Sequence, residues 1–268
     1  MEQEKGTPCS ARRARIAWLL AGALLWLAAG LAQARELLVV GTQFPRIYES
    51  ADSAEGGRQQ PSGLGVELLN RAAQRMGHSL RYELYPWPRA QLMVERGQAD
   101  ILVGPYRTPE REQRFTFSPQ AFYEDALVFY VRREQALLWQ GDYARLAEHP
   151  IGQVQGWAYG DGFEQARSML RLSTARDVIA GLQMLRLGRI DLLASNQRNT
   201  EPVLQQLGLE QLLQISGPPI GQLRGHFAFP RDARGLALRD ALDQAMSEMR
   251  TRGELRELSR RWNVKIPD

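Results

Sequence analysis

The stretch Arg96–Gly104, RGQADILVG, is followed about ninety residues later by a near copy, Leu187–Ser195, LGRIDLLAS. Each copy reads as one helix-to-strand step. The apolar end of a helix comes first, then a glycine suited to a left-handed C-cap, a short turn carrying aspartate, and a compact apolar strand. Met93 and Met184, Gly97 and Gly188, and Asp100 and Asp191 fall in register. Any α/β protein can reuse such a junction, and so can a chain built from two similar halves. What surrounds each copy has to decide between these.

Upstream, LLVVG from Leu37 reads as a buried strand and SLRYELY as a half-buried one. GVELLNRAAQRMG reads as a helix with Val66, Leu69, Ala73 and Met76 on one face and Gly77 as its stop, and RAQLMVERG as a second helix. Strand, helix, strand, helix, strand is the rhythm of a parallel α/β sheet. YESADSAEGGRQQPSG, between the first strand and helix, is a surface loop by composition. Downstream, DALVFYVRRE is a strand that runs into a charged connection. A second α/β set starts at IGQVQG, passes through ARDVIAGLQMLRLG and reaches IDLLAS, and GHFAFPRD is a late strand. Two terminal helices follow, one with Leu238, Leu242, Ala245 and Met249 on a face, the next with Leu255, Leu258 and Trp262.

The first 34 residues stand apart. Arg12, Arg13 and Arg15 precede the apolar run IAWLLAGALLWLAAGL, and Ala32-Gln33-Ala34 makes a small-residue cleavage site. Residues 1–34 therefore read as a secretory signal peptide cleaved before Arg35, with export to the periplasm. The run falls short of the roughly 20 apolar residues of a spanning helix. Cys9, the one cysteine, leaves with it, so the mature chain offers no thiol for a disulfide, a nucleophile or a metal. Loss of four basic and two acidic residues takes the formal net charge from +4 to +2. The remaining arginines are interleaved with Asp and Glu and form no basic block, which argues against nucleic acid as a partner. Lys5 and Lys265 are the only lysines, which excludes a P-loop. His78, His149 and His226 are far apart, and the sequence calls for no metal, cofactor or catalytic residue.

In open α/β sheets, ligands bind beyond the carboxyl ends of the strands. GPYRTPER and SNQRNT, which follow the two copies, are the first places to look. Thr108 can N-cap a helix, Pro109 suits its first position, and Arg111 falls in the same turn. A guanidinium is unfavourable beside a positive helix end unless an anion joins them, and together they would grip a carboxylate or phosphate through a bidentate fork. The alternative is a surface arginine paired with Glu110 or Glu112. Trp87, held between two prolines in YPWPRA, is a stacking wall or a core-filling side chain.

Read together, LLVVGTQFP, SGLGVELLNRAAQRMG, GQADILVG, TPEREQRFTFS, VQGWAYGDGF, LGRIDLLAS and LDQAMSEMRTRGELRELSRRW resemble a family. It is that of the bacterial extracellular solute-binding proteins of the histidine-binding and lysine/arginine/ornithine-binding type, which deliver polar amino acids to ABC importers. The resemblance covers the whole mature chain. It implies the two-lobed periplasmic binding protein fold (type II), each lobe a mostly parallel sheet flanked by helices, with hinge crossovers between lobes. Residues 35–131 with 223–268 would form lobe 1 and residues 132–222 lobe 2, one copy of the opening phrase in each and the two copies in separate sheets. It further implies a monomer that encloses a small carboxylate-bearing solute, an amino acid or related polar compound, and serves an ABC permease or a membrane sensor.

Carried over residue by residue, the resemblance puts Arg111 on the ligand carboxylate, Trp87 on its aliphatic part, and Trp157 and Ala158, after Gly156, on a second-lobe loop that also meets the carboxylate. Phe44 and Tyr106 are counted with the site. Gln43 and Asn196 stand where amino-acid binders commonly have the aspartates that hold the ammonium group. An amide accepts a hydrogen bond there but supplies no charge, so Asn196→Asp is expected to favour a zwitterionic ligand. Glu124 or Asp161 would be the substitutes. An enzyme stays open on this reading, because periplasmic dehydratases acting on cyclic carboxylates resemble the same family and need an arginine clamp but no ammonium site.

Overall fold

Apolar runs punctuated by glycine and proline set the elements of the chain, which a computed structural model describes over residues 35–50, 61–135 and 137–267. Residues 1–34, which the sequence analysis reads as a signal peptide, and the middle of the loop after the first strand lie outside the described residues. Twelve strands are described: β1 (Glu36–Gly41), β2 (Glu49–Ser50), β3 (Pro61–Ser62), β4 (Ser79–Leu84), β5 (Ile101–Tyr106), β6 (Thr116–Phe117), β7 (Tyr123–Arg132), β8 (Pro150–Val154), β9 (Arg171–Ala175), β10 (Leu192–Asn196), β11 (Leu213–Ile215) and β12 (Gly221–Phe229). Eight α-helices accompany them: α1 (Leu64–Met76), α2 (Trp87–Glu95), α3 (Pro109–Arg114), α4 (Asp161–Ala166), α5 (Val178–Arg186), α6 (Gln197–Gln206), α7 (Ala233–Thr251) and α8 (Glu254–Trp262).

The two copies of the opening phrase fold alike. Gly97 and Gly188 take φ of 66° and 68°, a left-handed conformation open to glycine at little cost. Behind them the Gln98 N–H donates to the Met93 carbonyl at 2.8 Å and the Arg189 N–H to the Met184 carbonyl at 2.9 Å, closing α2 and α5 by the same hydrogen bond. The Asp100 N–H then donates to the Leu38 carbonyl and the Asp191 N–H to the Pro150 carbonyl, which aligns each new strand beside its parallel neighbour.

The main sheet runs β4-β1-β5-β12-β7-β10-β8-β9, with β6 paired to β12 and β11 to β7. From the centre outward each half has the same plan. β12 is antiparallel to β5, and β5, β1 and β4 are parallel; β7 is antiparallel to β10, and β10, β8 and β9 are parallel. The repeated strands thus lie in one hydrogen-bonded sheet, not in two as the sequence led one to expect. The cause is the length of β7 and β12. Tyr123–Leu127 pairs with Gly221–Gly225, and beyond that overlap β7 continues along β10 and β12 along β5.

The cores nonetheless separate. One pair of clusters draws on Leu37, Leu69, Val103, Phe122, Phe227 and Leu242, and on Val40, Trp87, Leu102 and Phe117. The other pair draws on Leu127, Phe129, Ile151, Phe163 and Leu192, and on Val128, Tyr130, Leu182 and Leu193. At about 1.5–3 kcal/mol for each large apolar side chain buried, each half gathers its own hydrophobic stabilisation. The terminal helices belong to the first set, since Leu238, Leu242, Met249, Leu255 and Leu258 pack with residues of β1 and α1.

Candidate functional site

The strand plan brings five carboxyl ends to one place. Phe44 follows β1, Trp87 follows β4, Gly104 and Tyr106 close β5 with Arg111 in the helix behind, Trp157 and Ala158 follow β8, and Asn199 lies in the helix after β10. These eight residues line an inner cavity of about 20 Å³. Tyr106, Arg111, Trp157 and Ala158 also line a wider outer cleft of about 890 Å³. The inner space holds little more than one water-sized group, so a larger guest needs its walls to part.

Arg111 is placed by its own helix start. The Thr108 hydroxyl accepts from the Arg111 N–H at 3.2 Å as the N-cap of α3, and Pro109 takes the first position. The side chain is 6% exposed. Its guanidinium donates to the Tyr106 carbonyl and to the Gly156 carbonyl, each at 2.9 Å, and so joins the loop after β5 to the loop after β8. It lies 5.7 Å from the centre of the Trp87 ring. None of its hydrogen bonds to described residues goes to a carboxylate, so the surface-pair alternative with Glu110 or Glu112 does not hold. Burial pulls its pKa down from the ordinary arginine value. A charged group so enclosed is stabilised by a counter-anion.

Trp87 is a core side chain that also lines the inner cavity. It packs with Val40, Leu102 and Phe117 and, edge-on at 5.5 Å, with Phe44, while it also walls the inner cavity. Gly104, at φ 86°, lets the chain pass under this wall, because a Cβ there would sit 3.3 Å from the Phe44 ring. Trp157 packs on the second core and reaches the cavity from the far side.

Two of the eight residues singled out from the sequence do not line the cavity. Gln43 is exposed. Asn196 is buried, and its amide is already committed. Its Oδ1 caps α6 by accepting from the Asn199 N–H at 3.0 Å, and its Nδ2 donates to the Tyr106 hydroxyl and, at 2.6 Å, to Asp125 Oδ2. Asp125 is the centre of this cluster. It also accepts from the Tyr106 hydroxyl at 2.7 Å and from Arg198 through Nε at 2.8 Å and Nη2 at 2.6 Å. Arg198 reaches on to the Pro45 carbonyl and over the Tyr123 ring. Burial would lower the Arg198 pKa, but the bonds to Asp125 outweigh it and hold the group above the ordinary range. Of the substitutes, Glu124 is held by Lys265 and Arg224, and Asp161 is an exposed residue at the rim of the outer cleft.

Asn199 was missed by sequence reasoning. The resemblance singles out Asn196 in SNQRNT as standing where an ammonium-holding aspartate is common, yet on a helix that starts there the residue three further on faces the same way. Among the described residues no group of three His, Cys, Asp or Glu side chains is arranged to hold a metal ion.

The model of the bacterial extracellular solute-binding proteins, family 3, matches residues 42–265. The chain belongs to that family. No curated protein sequence matches it. Among solved structures this solute-binding protein is similar to the substrate-binding protein of an amino acid ABC transporter, at 18% identity and TM-score 0.68 over 85% of this chain and 98% of that one. It is similar to a histidine kinase sensor domain that itself resembles periplasmic binding proteins, at 17% identity and TM-score 0.75 over 88% and 99%. A third is an ABC uptake transporter substrate-binding protein from Streptococcus pneumoniae with bound histidine, at 14% identity and TM-score 0.68 over 85% and 92%. At these identities the likeness is one of fold, and the fold is the two-lobed one the sequence led one to expect. The dehydratase reading finds no support among these relatives.

Proposed function

We propose that this solute-binding protein encloses a small carboxylate-bearing solute, an amino acid or a related polar compound, between two lobes. The observation that carries this is Arg111: a buried cation, hydrogen-bonded to both walls of the cleft and to no carboxylate among the described residues. A ligand carboxylate would take the fork of the guanidinium, with Trp87, Phe44 and Trp157 as walls and Tyr106 and Ala158 at the mouth. The histidine bound by one of the similar structures supports a solute of this size. Lobe 1 comprises residues 35–131 with 223–268 and lobe 2 residues 132–222. The separation of the cores supports two lobes of this plan, but Leu127, Phe129 and Val131 pack in the second core with Leu223 against them, which shifts the crossover points into β7, between Tyr123 and Leu127, and into β12, between Leu223 and Phe227. Parting of the lobes about these two strands admits the solute, and a ligand that touches both sides favours the closed state.

The protein is exported by its leader to the periplasm and acts as a monomer without catalysis, for an ABC permease or a membrane sensor. A thermal-shift screen of carboxylates against the wild type and Arg111→Ala tests the reading. A compound that raises the melting temperature of the wild type alone is expected. Equal shifts in both proteins would remove Arg111 from the site.

A further inference from the structure

Two features of the inner cavity restrict the guest beyond its carboxylate. The first is charge. Of the eight lining residues, Arg111 is the one cation and none is an anion. The nearest buried carboxylate in this network, Asp125, has both oxygens taken by Arg198, Tyr106 and Asn196. A guest with one negative charge brings the enclosed set to neutrality, whereas a zwitterion leaves a net positive charge in a space that excludes water. The second is Asn199. The residue is 7% exposed, it lines the cavity, and its Oδ1 has no hydrogen-bond partner among the described residues. A buried amide oxygen without a donor is costly, and a guest that supplies a neutral O–H relieves that cost.

Resting on the carboxylate reading above, we infer that the solute is a hydroxy acid and not an amino acid. Its carboxylate meets Arg111, its hydroxyl donates to Asn199 Oδ1, and its remainder extends into the outer cleft that shares Arg111 and Trp157 with the inner one. Asn199 is then a specificity-determining residue. An ammonium in place of the hydroxyl would offer the same donor but would face Arg111 with no carboxylate in the lining of the inner cavity; Glu110, Asp161 and Glu164 line only the outer cleft, where they are exposed to water.

The test is calorimetric titration with two matched sets, each a hydroxy acid, its amino-acid analogue and its deoxy acid: L-lactate, L-alanine and propanoate; and L-3-phenyllactate, L-phenylalanine and 3-phenylpropanoate. In the set that binds, the hydroxy acid is expected to bind at least about tenfold more tightly than the amino acid, and more tightly than the deoxy acid by about three- to tenfold, the worth of one hydrogen bond. Asn199→Ala should shrink the gap between hydroxy and deoxy acid to less than about twofold. An amino acid that binds as tightly as its hydroxy analogue, in a manner lost with Arg111→Ala, overturns this inference and leaves the carboxylate site standing. Binding by no acid in any set overturns both. If Asn199→Ala does not fold, the order of affinities in the wild type decides alone.

Discussion

Arg111 and Arg198 occupy matching places in the two halves of the molecule. Each lies in the first turn of the helix that follows a repeated strand, and each is largely buried. Arg198 meets Asp125 through two nitrogens and reaches the Pro45 carbonyl, so its charge is answered within the protein. Arg111 meets two carbonyl dipoles and no carboxylate among the described residues. The same side chain in the first turn of two corresponding helices is therefore treated differently: one position is a finished ion pair that ties β7 to α6 and to the loop after β1, and the other, on the function proposed above, is half of a pair whose second half comes from the solute.

The comparison breaks most visibly through Asp125. Asp125→Ala leaves Arg198 buried without its carboxylate and removes an acceptor from Tyr106 and Asn196, so unfolding free energy by denaturant titration is expected to fall by about 3–5 kcal/mol. A loss below about 1 kcal/mol would mean that the pair is not the finished structural unit described. Arg111→Ala should behave in reverse. It costs about 2–5 kcal/mol of binding to the best ligand of the screen, read by calorimetry, because it removes a charge-assisted fork from a closed cleft. Unfolding free energy should change by less than about 1 kcal/mol, since no partner charge is left stranded. Arg111→Lys should recover part of the binding only, because an ammonium keeps the charge and loses the planar fork.

Asn196→Asp sharpens the contrast. From sequence this change is expected to create a seat for a ligand ammonium. The structure instead sets the Asn196 amide 2.6 Å from Asp125 Oδ2, so an aspartate there faces a carboxylate and loses the donor that now satisfies it. The variant is expected to lose about 1–3 kcal/mol of stability at neutral pH and to gain no affinity for amino acids. Tighter amino-acid binding by this variant, seen by calorimetry, would restore the earlier assignment.

What could be read in the sequence and what could not follow from the range of the forces involved. The helix ends at Gly97 and Gly188, the cap at Thr108 and the burial of Leu242 and Leu258 are set by neighbours within a turn, and local pattern exposes them. The first-turn place of Arg111 was legible too, and with it the choice between an anion site and a surface pair, but not its burial, which depends on the distant Gly156 carbonyl. The bonds that commit Asn196 were not legible. They join residues 71 and 90 positions away, Asp125 and Tyr106, and no short-range signal announces them. The single sheet escaped for the same reason, since the pairing of Tyr123 with Gly225 depends on two strands meeting across a hundred residues. Gly225 permits it: a Cβ there would overlap the Tyr123 ring at 1.8 Å.

His226 shows a third way to bury a basic side chain, and it yields the smallest expected effect. The residue lies on β12 at the edge of the outer cleft, 6% exposed, with Nδ1 donating to the Ser118 carbonyl at 2.9 Å. Where Arg198 meets a carboxylate and Arg111 two carbonyls, His226 can shed its proton. Burial lowers its pKa; the Ser118 carbonyl opposes the shift, and the nearby charges of Arg107 and Arg224 add to it. The folded state therefore holds the proton less firmly than the unfolded chain, whose histidine titrates near about 6.5. Stability from this group is complete above that value and declines as the pH falls below it toward the folded pKa, with a slope of at most about 1.4 kcal/mol per pH unit. Denaturant titrations from pH 7.5 to 5.5 should show the wild type losing stability more steeply than His226→Gln, which has no proton to take up. Parallel slopes for the two proteins would mean that His226 takes up its proton as readily in the folded state as in the unfolded chain, and that burial does not hold it neutral.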